Sequence, residues 1–127
     1  MSDKPNNRIE VNAKATYIDE QSEPEANRYV FAYTITINNV GKNPARLRSR
    51  HWHITDANGK VEEVHGDGVI GKQPLLQPGE SFEYSSGAII ETPVGAMQGH
   101  YDMFTDEGEK FTAQIKPFTL AIPGSIH

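Results

Sequence analysis

The sequence predicts an all-β domain, an immunoglobulin-like or fibronectin type III-like β-sandwich of about seven to eight antiparallel strands. Two observations support this: apolar residues recur mostly at every second position, and Gly, Pro or Asn-Gly breaks separate the runs. No window of about 11 residues keeps the i, i+3, i+4 apolar spacing of a helix, so any helix should be a single turn. We expect residues 1–127 to form one domain, with residues 1–7 as a flexible N-terminal tail.

The first two strands show the alternation most clearly. Apolar side chains alternate with polar ones from Ile9 to Tyr17, and the stretch QSEPEAN ends this strand. Residues 29–37 then repeat the pattern with five large apolar side chains at the odd positions, before NNVGKNP turns the chain. Each strand is therefore expected to bury one face and expose the other.

The third strand, ARLRSRHWHITD, departs from the alternation. Leu47 and Trp52 have opposite parity, and strict alternation would place three arginines on the side of Trp52, where burial of their charge is costly. We therefore predict a bulge or bend near Ser49–Arg50 that returns Leu47 and Trp52 to one side. The stretch DANGK then predicts an Asn-Gly hairpin turn, followed by the short strand KVEEVHG.

The rest of the chain predicts a loop and three more strands. KQPLLQPGES is expected to be a loop, and Phe82 and Tyr84 mark the strand that follows. SSGAIIETPVGAMQG is interrupted by Gly and Pro, and HYDMFTD and KFTAQIKPFTLAI form the last two strands. Pro117 shifts the apolar phase of the last strand, as in an edge strand or a bulge.

Composition excludes several classes of function. The chain has no cysteine, which excludes disulfides, thiolate zinc sites and a cysteine nucleophile. Its formal net charge of −5 argues against binding to phosphate backbones, so we expect no nucleic-acid partner. No segment approaches the ~18 apolar residues of a membrane span, and the N-terminus lacks the apolar region of a signal peptide. We therefore expect a cytoplasmic protein without membrane contacts.

Three segments resemble the ApaG (CorD) family: RHWHITDANG, HGDGVIGKQPLLQPGESFEYSSGAIIETPVGAMQGHYDM and the ending FTLAIP. The resemblance extends from about residue 17 to residue 127 and consists of long ordered motifs. It implies a fibronectin type III-like sandwich in a bacterial protein, a link to cobalt and magnesium sensitivity, and no established catalytic activity. Related domains in eukaryotic F-box proteins and in a DNA-polymerase-interacting protein look like interaction modules.

The run GDGVIG is similar to a dinucleotide-binding fingerprint but has the wrong flanks. Such a fingerprint opens a helix, whereas here Gly71 leads into Lys72-Gln73-Pro74 and no βαβ unit surrounds it. One hypothesis is that the backbone N–H groups of this glycine loop hold a phosphate; the candidate residues are Gly66, Gly68, Gly71 and Lys72. The alternative is that the glycines only permit a tight loop.

Basic side chains of the third strand are further candidates. His51 and His53 are two apart, so they share a strand face and could supply two metal ligands, with His65 and His100 as candidates by residue type only. The alternative is a solvated pair of imidazoles. Arg50 is a candidate contact to an anion or a protein partner, and the alternative for the arginines is cross-strand salt bridges.

Two apolar pairs suggest an interface. Leu75-Leu76 and Ile89-Ile90 would form an interaction patch if they were exposed together, or part of the core if they capped the sandwich. No serine lies in a Gly-x-Ser-x-Gly elbow, so we predict no catalytic residue, no cofactor and no enzymatic activity. The leading hypothesis is a non-enzymatic module that binds a protein partner. The alternatives are a nucleotide- or pyrophosphate-binding protein that uses the glycine loop, and a weak divalent-metal binder.

Overall fold

The computed structural model describes residues 7–124 of the chain. Within this range the backbone forms eight strands and two single-turn 3-10 helices, Asp19–Gln21 and Pro24–Ala26. The strands are β1 (Ile9–Tyr17), β2 (Tyr29–Asn39), β3 (Ala45–Asp56), β4 (Val61–Asp67), β5 (Leu75–Leu76), β6 (Ser81–Ile90), β7 (Val94–Thr105) and β8 (Lys110–Ala121). No helix in the described part of the chain is long and apolar enough to cross a membrane.

The strands form two antiparallel sheets. The three-stranded sheet has the order β1-β2-β6, and the five-stranded sheet has the order β4-β3-β7-β8, with β5 paired to β3. Strand β1 also approaches β8, so the sheets are close along one side of the sandwich. The structure confirms the sequence prediction of an all-β sandwich of seven to eight antiparallel strands without longer helices.

The core lies between the two sheets because alternate side chains of each strand face inward. Trp52 on β3 is 2% exposed and contacts Tyr33 of β2, with ring centroids 5.5 Å apart, and Phe118 of β8, at 6.0 Å. Burying a large apolar side chain contributes about 1.5–3 kcal/mol, so these inward rows supply most of the stability. The fully buried side chains include Phe31, Ile35, Ile37, Leu47, Met97, Tyr101, Met103 and Leu120.

The third strand contains the expected bulge, but at an earlier residue than predicted. The register of β3 against β7 shifts between Leu47 and Ser49, which places the extra residue at Arg48. Leu47 and Trp52 are both buried on the inner side, as the prediction required. Because the bulge precedes Ser49, Arg50 stays on the inner side with Trp52. A second register shift, between Met97 and Gly99 of β7, lies opposite the Pro117 region of β8 and confirms the predicted change of phase.

Two segments differ from the sequence prediction. The predicted loop after Gly71 contains β5, in which Leu75 and Leu76 pair with Arg46 and Ala45. The stretch predicted to be interrupted by Gly and Pro is interrupted at residues 91–93, which include Pro93, but its glycines lie in the end of β6 and the start of β7.

The predicted tail is only partly described. Asn7, its last residue, is 9% exposed, and its side-chain oxygen accepts a hydrogen bond from Asn43 Nδ2 at 3.3 Å. Residues 1–6 lie outside the described residues.

Candidate functional site

Three histidines form a row across the outer face of the five-stranded sheet. His51 on β3 is the register partner of His65 on β4 and of His100 on β7. The bulge at Arg48 resets the alternation, so His51 points outward while Trp52 points into the core. The ring centroid of His51 lies 4.8 Å from that of His65 and 4.4 Å from that of His100, and the His51 and His100 rings are stacked with an angle of 15° between their planes. Strand pairing therefore brings together residues that are far apart in the sequence.

Asp102 connects this row to the neighbouring strands. Its carboxylate accepts a hydrogen bond from Ser49 Oγ at 2.7 Å and lies 2.9 Å from His51 Nε2. The other carboxylate oxygen is 3.7 Å from His100 Nε2 and 3.9 Å from Lys110 Nζ. Asp102 is only 8% exposed, so its negative charge is compensated by these contacts rather than by bulk water.

The hydrogen-bond chain continues through His51 to His65. The two Nδ1 atoms are 2.7 Å apart, so one of them must donate and the other accept. A carboxylate only accepts, so neutral His51 carries its proton on Nε2, facing Asp102, and its Nδ1 accepts from His65. Nε2 of His65 lies 3.5 Å from a carboxylate oxygen of Glu63.

The surroundings shift two pKa values in this cluster. Burial would raise the pKa of Asp102, but the hydrogen bonds from Ser49 and His51, together with the charge of Lys110, lower it below its usual value. Burial, and then the neighbouring His51, lowers the pKa of His100. At neutral pH Asp102 is therefore an anion and His100 a neutral imidazole, the protonation states in which both can bind a cation.

The cluster has the donors of a cation site rather than those of a nucleophilic triad. The binding atoms of His51, His100 and Asp102 all lie within 4.8 Å of one another. In a Ser-His-Asp triad the imidazole takes the serine proton, whereas here the hydroxyl of Ser49 donates its proton to the carboxylate of Asp102.

The histidine pair expected from the sequence lies on one face, but its members have different neighbours. His53 Nε2 is 3.8 Å from Glu63 Oε1, while His51 contacts His65, His100 and Asp102. Asp102 was not predicted from the sequence, and His100 was a candidate by residue type only. The available signal is the H-x-D of β7, which faces the H-x-H of β3 only once the register of these strands is known.

The glycine loop is a tight turn whose backbone bonds are largely internal. Val69 and Lys72 bond to each other through N–H and C=O at 2.8 and 2.9 Å, and the N–H of Gly68 donates to the carbonyl of Arg48 at 2.7 Å. Gly68 has a φ of +63°, and a Cβ there would lie 2.2 Å from the Lys72 carbonyl oxygen. These three N–H groups are therefore engaged within the protein, which leaves fewer donors for a phosphate.

Arg50 points inward at the edge of the sandwich. Its Nη1 donates to the carbonyl oxygens of Asp67 at 3.1 Å and Gly68 at 2.9 Å. Its cross-strand partner is Gly66, and a Cβ at that position would come within 2.7 Å of the guanidinium carbon. Among the described residues no carboxylate forms an ion pair with Arg50, so its contacts are to the backbone rather than the salt bridges considered from the sequence.

The two apolar pairs lie at opposite ends of the sandwich. Ile90 is the register partner of Tyr29 at the start of β2, whereas the carbonyl of Leu76 accepts a hydrogen bond from Asn39 at its end. Leu76 and Ile90 are buried at 3% and 5% exposure, while Leu75 and Ile89 are exposed at 38% and 47%. The structure does not bring the pairs into one patch, and each exposes one residue.

These features define the class of protein: a fibronectin type III-like antiparallel sandwich with a polar histidine cluster on one outer face. The chain belongs to the ApaG domain family, whose model matches residues 19–105. The family resemblance inferred from the sequence motifs is thereby confirmed.

Relatives of similar length support the assignment. The ApaG proteins of Xylella fastidiosa strain M12 and Thiobacillus denitrificans are 56% and 57% identical to this chain over 127 residues, which is 100% of both sequences in each comparison. The crystal structure of an ApaA protein from Bordetella pertussis is similar to this fold with a TM-score of 0.91 at 47% identity. That match covers 94% of this chain and 97% of that chain.

Proposed function

We propose that this chain is a non-enzymatic binding module that engages an extended segment of a protein partner along the edge of the sandwich between β4 and β6. The observation that supports this most directly is a shallow groove at that edge, about 30 Å³ in volume, with apolar and acidic walls. Its lining residues are Ile54, Asp56, Lys60, Glu62, Ile89, Ile90 and Glu91.

The backbone at this edge supports recognition of an extended segment. β4 and β6 are each the last strand of their sheet, so each has one side on which no strand of residues 7–124 pairs with it. Free N–H and C=O groups along an edge strand are a template for an added strand. The opposite side of the sandwich is less open because β1 approaches β8 there.

Charge indicates the chemistry of the segment. The groove contains three carboxylates, on Asp56, Glu62 and Glu91, and one cation, Lys60, whose Nζ is 3.4 Å from the carboxylate of Glu91. A segment would match this surface if one of its aliphatic side chains packed on the exposed Ile89 and a neighbouring Lys or Arg faced the carboxylates. The net charge of −5 would also favour encounter with basic segments.

The experiment compares baits altered at the two exposed aliphatic residues. Wild-type chain, Ile89→Glu and Leu75→Glu are used to isolate partners from the cells that naturally express the protein, and binding of each purified partner is then measured. The matched control is Leu75→Glu, because Leu75 is exposed on an edge at the other end of the sandwich.

We expect Ile89→Glu to weaken binding of the partner about tenfold or more, as for an interface anchor, and Leu75→Glu to leave it unchanged. Amide shifts induced by the partner should fall on β4 and β6. A partner that tolerates Ile89→Glu, or no partner specific to the wild-type bait, contradicts the proposal.

The nucleotide alternative has weaker support. The N–H groups of Val69 and Lys72 bond within the turn, and that of Gly68 donates to the carbonyl of Arg48, so these three donors are already engaged and less available to a phosphate.

A further inference from the structure

We propose that His51, His100 and Asp102 together bind one divalent metal ion of the first transition series, and that Zn²⁺ is the ion that fits this site best. The site lies on the outer face of the five-stranded sheet and does not depend on the peptide groove, which opens at the sandwich edge between β4 and β6.

The donor set selects the class of ion. Two imidazole nitrogens and one carboxylate oxygen are typical of zinc sites that keep a fourth position for water. Magnesium prefers oxygen ligands and retains its water, so this set discriminates against it. The most buried of the three donors is Asp102, at 8% exposure, while the side chains of His51 and His100 are 26% and 36% exposed, so solvent reaches the imidazoles.

The separations suit a small tetrahedral ion. Ligand atoms about 2.0–2.2 Å from a tetrahedral centre are about 3.3–3.6 Å from each other. Oδ2 of Asp102 is 2.9 Å from His51 Nε2, and its other oxygen, Oδ1, is 3.7 Å from His100 Nε2, so each imidazole lies near this range from one oxygen of the carboxylate. All the ligand atoms lie within 4.8 Å of one another. Because His100 stacks on His51 at 15°, its side chain, which is 36% exposed, has to rotate for both imidazoles to point at one ion.

Supporting groups already orient two of the ligands. Ser49 Oγ donates to the Asp102 carboxylate at 2.7 Å and fixes its orientation. When Nε2 of His51 binds an ion, its proton moves to Nδ1, which then donates to Nδ1 of His65 at 2.7 Å. The second nitrogen of a metal-bound imidazole usually makes such a bond, and it raises the basicity of the ligand.

Lys110 is the cation that a metal ion would replace. Its Nζ lies 3.9 Å from the carboxylate of Asp102, and its side chain is 57% exposed, so it can move into solvent. Its charge repels an incoming ion, so removing that charge should strengthen binding. This prediction separates a metal site from a purely structural polar cluster.

The test is calorimetric titration of the full chain with Zn²⁺ in a buffer that does not chelate it, with Mg²⁺ as a second titrant. The variants are His100→Gln, Asp102→Asn and Lys110→Gln. The matched control is His53→Gln, on the same face and strand as His51 but outside the cluster. Amide spectra of each variant establish that it is folded.

We expect one Zn²⁺ per chain and no response to Mg²⁺. His100→Gln and Asp102→Asn should each weaken binding about tenfold or more, Lys110→Gln should tighten it a few-fold, and His53→Gln should change it less than about twofold. A gain in the Lys110 variant cannot arise from damage to the fold.

An NMR spectrum of the imidazole nitrogens gives a second readout, because it shows which nitrogen of each histidine carries the proton. Binding should move the proton of His51 from Nε2 to Nδ1, and Co²⁺ should give the visible absorption of a four-coordinate site. Absence of saturable Zn²⁺ binding below about 1 mM, equal binding by His100→Gln and Asp102→Asn, or an equal loss in His53→Gln overturns the proposal.

Discussion

Tyr84 of β6 and Tyr101 of β7 join the two sheets through a hydrogen bond of 2.5 Å between their hydroxyl groups. Tyr84 is 5% exposed and Tyr101 is fully buried, so the bond lies inside the sandwich. Each hydroxyl provides the hydrogen-bond partner of the other, and a buried polar group without such a partner would be destabilising. The pair therefore fixes how the sheets sit on each other, in addition to the apolar contacts around it.

Replacing either tyrosine with phenylalanine should destabilise the fold by about 1–2 kcal/mol, because the remaining hydroxyl is left buried without its partner. The double variant should cost less than the sum of the two single variants, since it leaves no orphaned hydroxyl. Urea unfolding monitored by circular dichroism measures the three free energies. Strict additivity would contradict the direct coupling of the two hydroxyls.

The same pair should limit stability at high pH. Burial, as the main cause, raises the pKa of Tyr84 from 10.0 to about 12 and also raises the pKa of Tyr101. A folded-state pKa above the unfolded value means that the stabilisation is complete below pH 10 and is lost as the pH rises toward 12. Urea midpoints should fall across this window, and the fall should be smaller in Tyr84→Phe. Parallel pH profiles for both proteins would contradict this origin.

Gly99 should not tolerate a side chain. A Cβ at this position would lie 2.0 Å from the carbonyl oxygen of His51 on the neighbouring strand, and backbone cannot move away without breaking the β3–β7 pairing. We expect Gly99→Ala to cost about 3 kcal/mol or more in the free energy of unfolding. Gly87→Ala is the matched control, because its Cβ would meet only ordinary contact at 3.5 Å. Equal stability of the two variants would contradict the close approach.

Gly99 also shows why the sequence predicts some elements of this fold and not others. Period-two alternation was enough for β1 and β2, where each strand buries a single face. The glycines in β6 and β7 suggested interruptions, but Gly99 lies within a continuous strand. A glycine is required there because the neighbouring backbone leaves no room for a Cβ. The requirement comes from the partner strand, so the local sequence does not contain it.

Prediction of the candidate site from the sequence was limited in the same way. The sequence places His51 and His53 on one face, but the cluster requires His100 and Asp102, which join it through the register of β3 with β7. That register depends on the position of the bulge. The sequence prediction placed the bulge near Ser49–Arg50, while the structure has it at Arg48.

Arg50 should stabilise the loop after β4. Arg50→Met keeps much of the apolar stem but removes the two hydrogen bonds to the carbonyls of Asp67 and Gly68. We expect a loss of about 1–2 kcal/mol, because bonds from a charged donor contribute more than neutral ones. The control is Arg48→Met, where the exposed guanidinium lies 5.5 Å from the Phe104 ring centroid and should contribute less than about 1 kcal/mol.

Hydrogen exchange locates this effect. The amide of Gly68 donates to the carbonyl of Arg48, and this bond should open more often when the Arg50 side chain no longer holds the loop. Faster exchange at Gly68 in Arg50→Met but not in Arg48→Met is the expected result. An unchanged rate in both variants would mean that Arg50 does not restrain the loop.

Ile70 occupies a backbone conformation that disfavours it. It has a φ of +44°, and with Gly71 at +77° it forms the centre of a two-residue turn between Val69 and Lys72. Two consecutive positive φ values are typical of a type I′ turn, which favours Asn-Gly and strains a β-branched residue. The side chain is 56% exposed, so its burial contributes little to offset the strain.

Ile70→Asn should therefore stabilise the protein, by about 1 kcal/mol, because it creates the preferred Asn-Gly turn at the cost of little buried apolar area. Thermal and urea unfolding measure the gain. Ile70→Val is the control, since it remains β-branched and should not relieve the strain. If Ile70→Asn is no more stable than wild type, contacts of the Ile70 side chain must offset the backbone strain. If it is more stable, Ile70 lowers stability at an exposed loop tip, and its effect on partner binding can then be measured in a protein whose fold is not weakened.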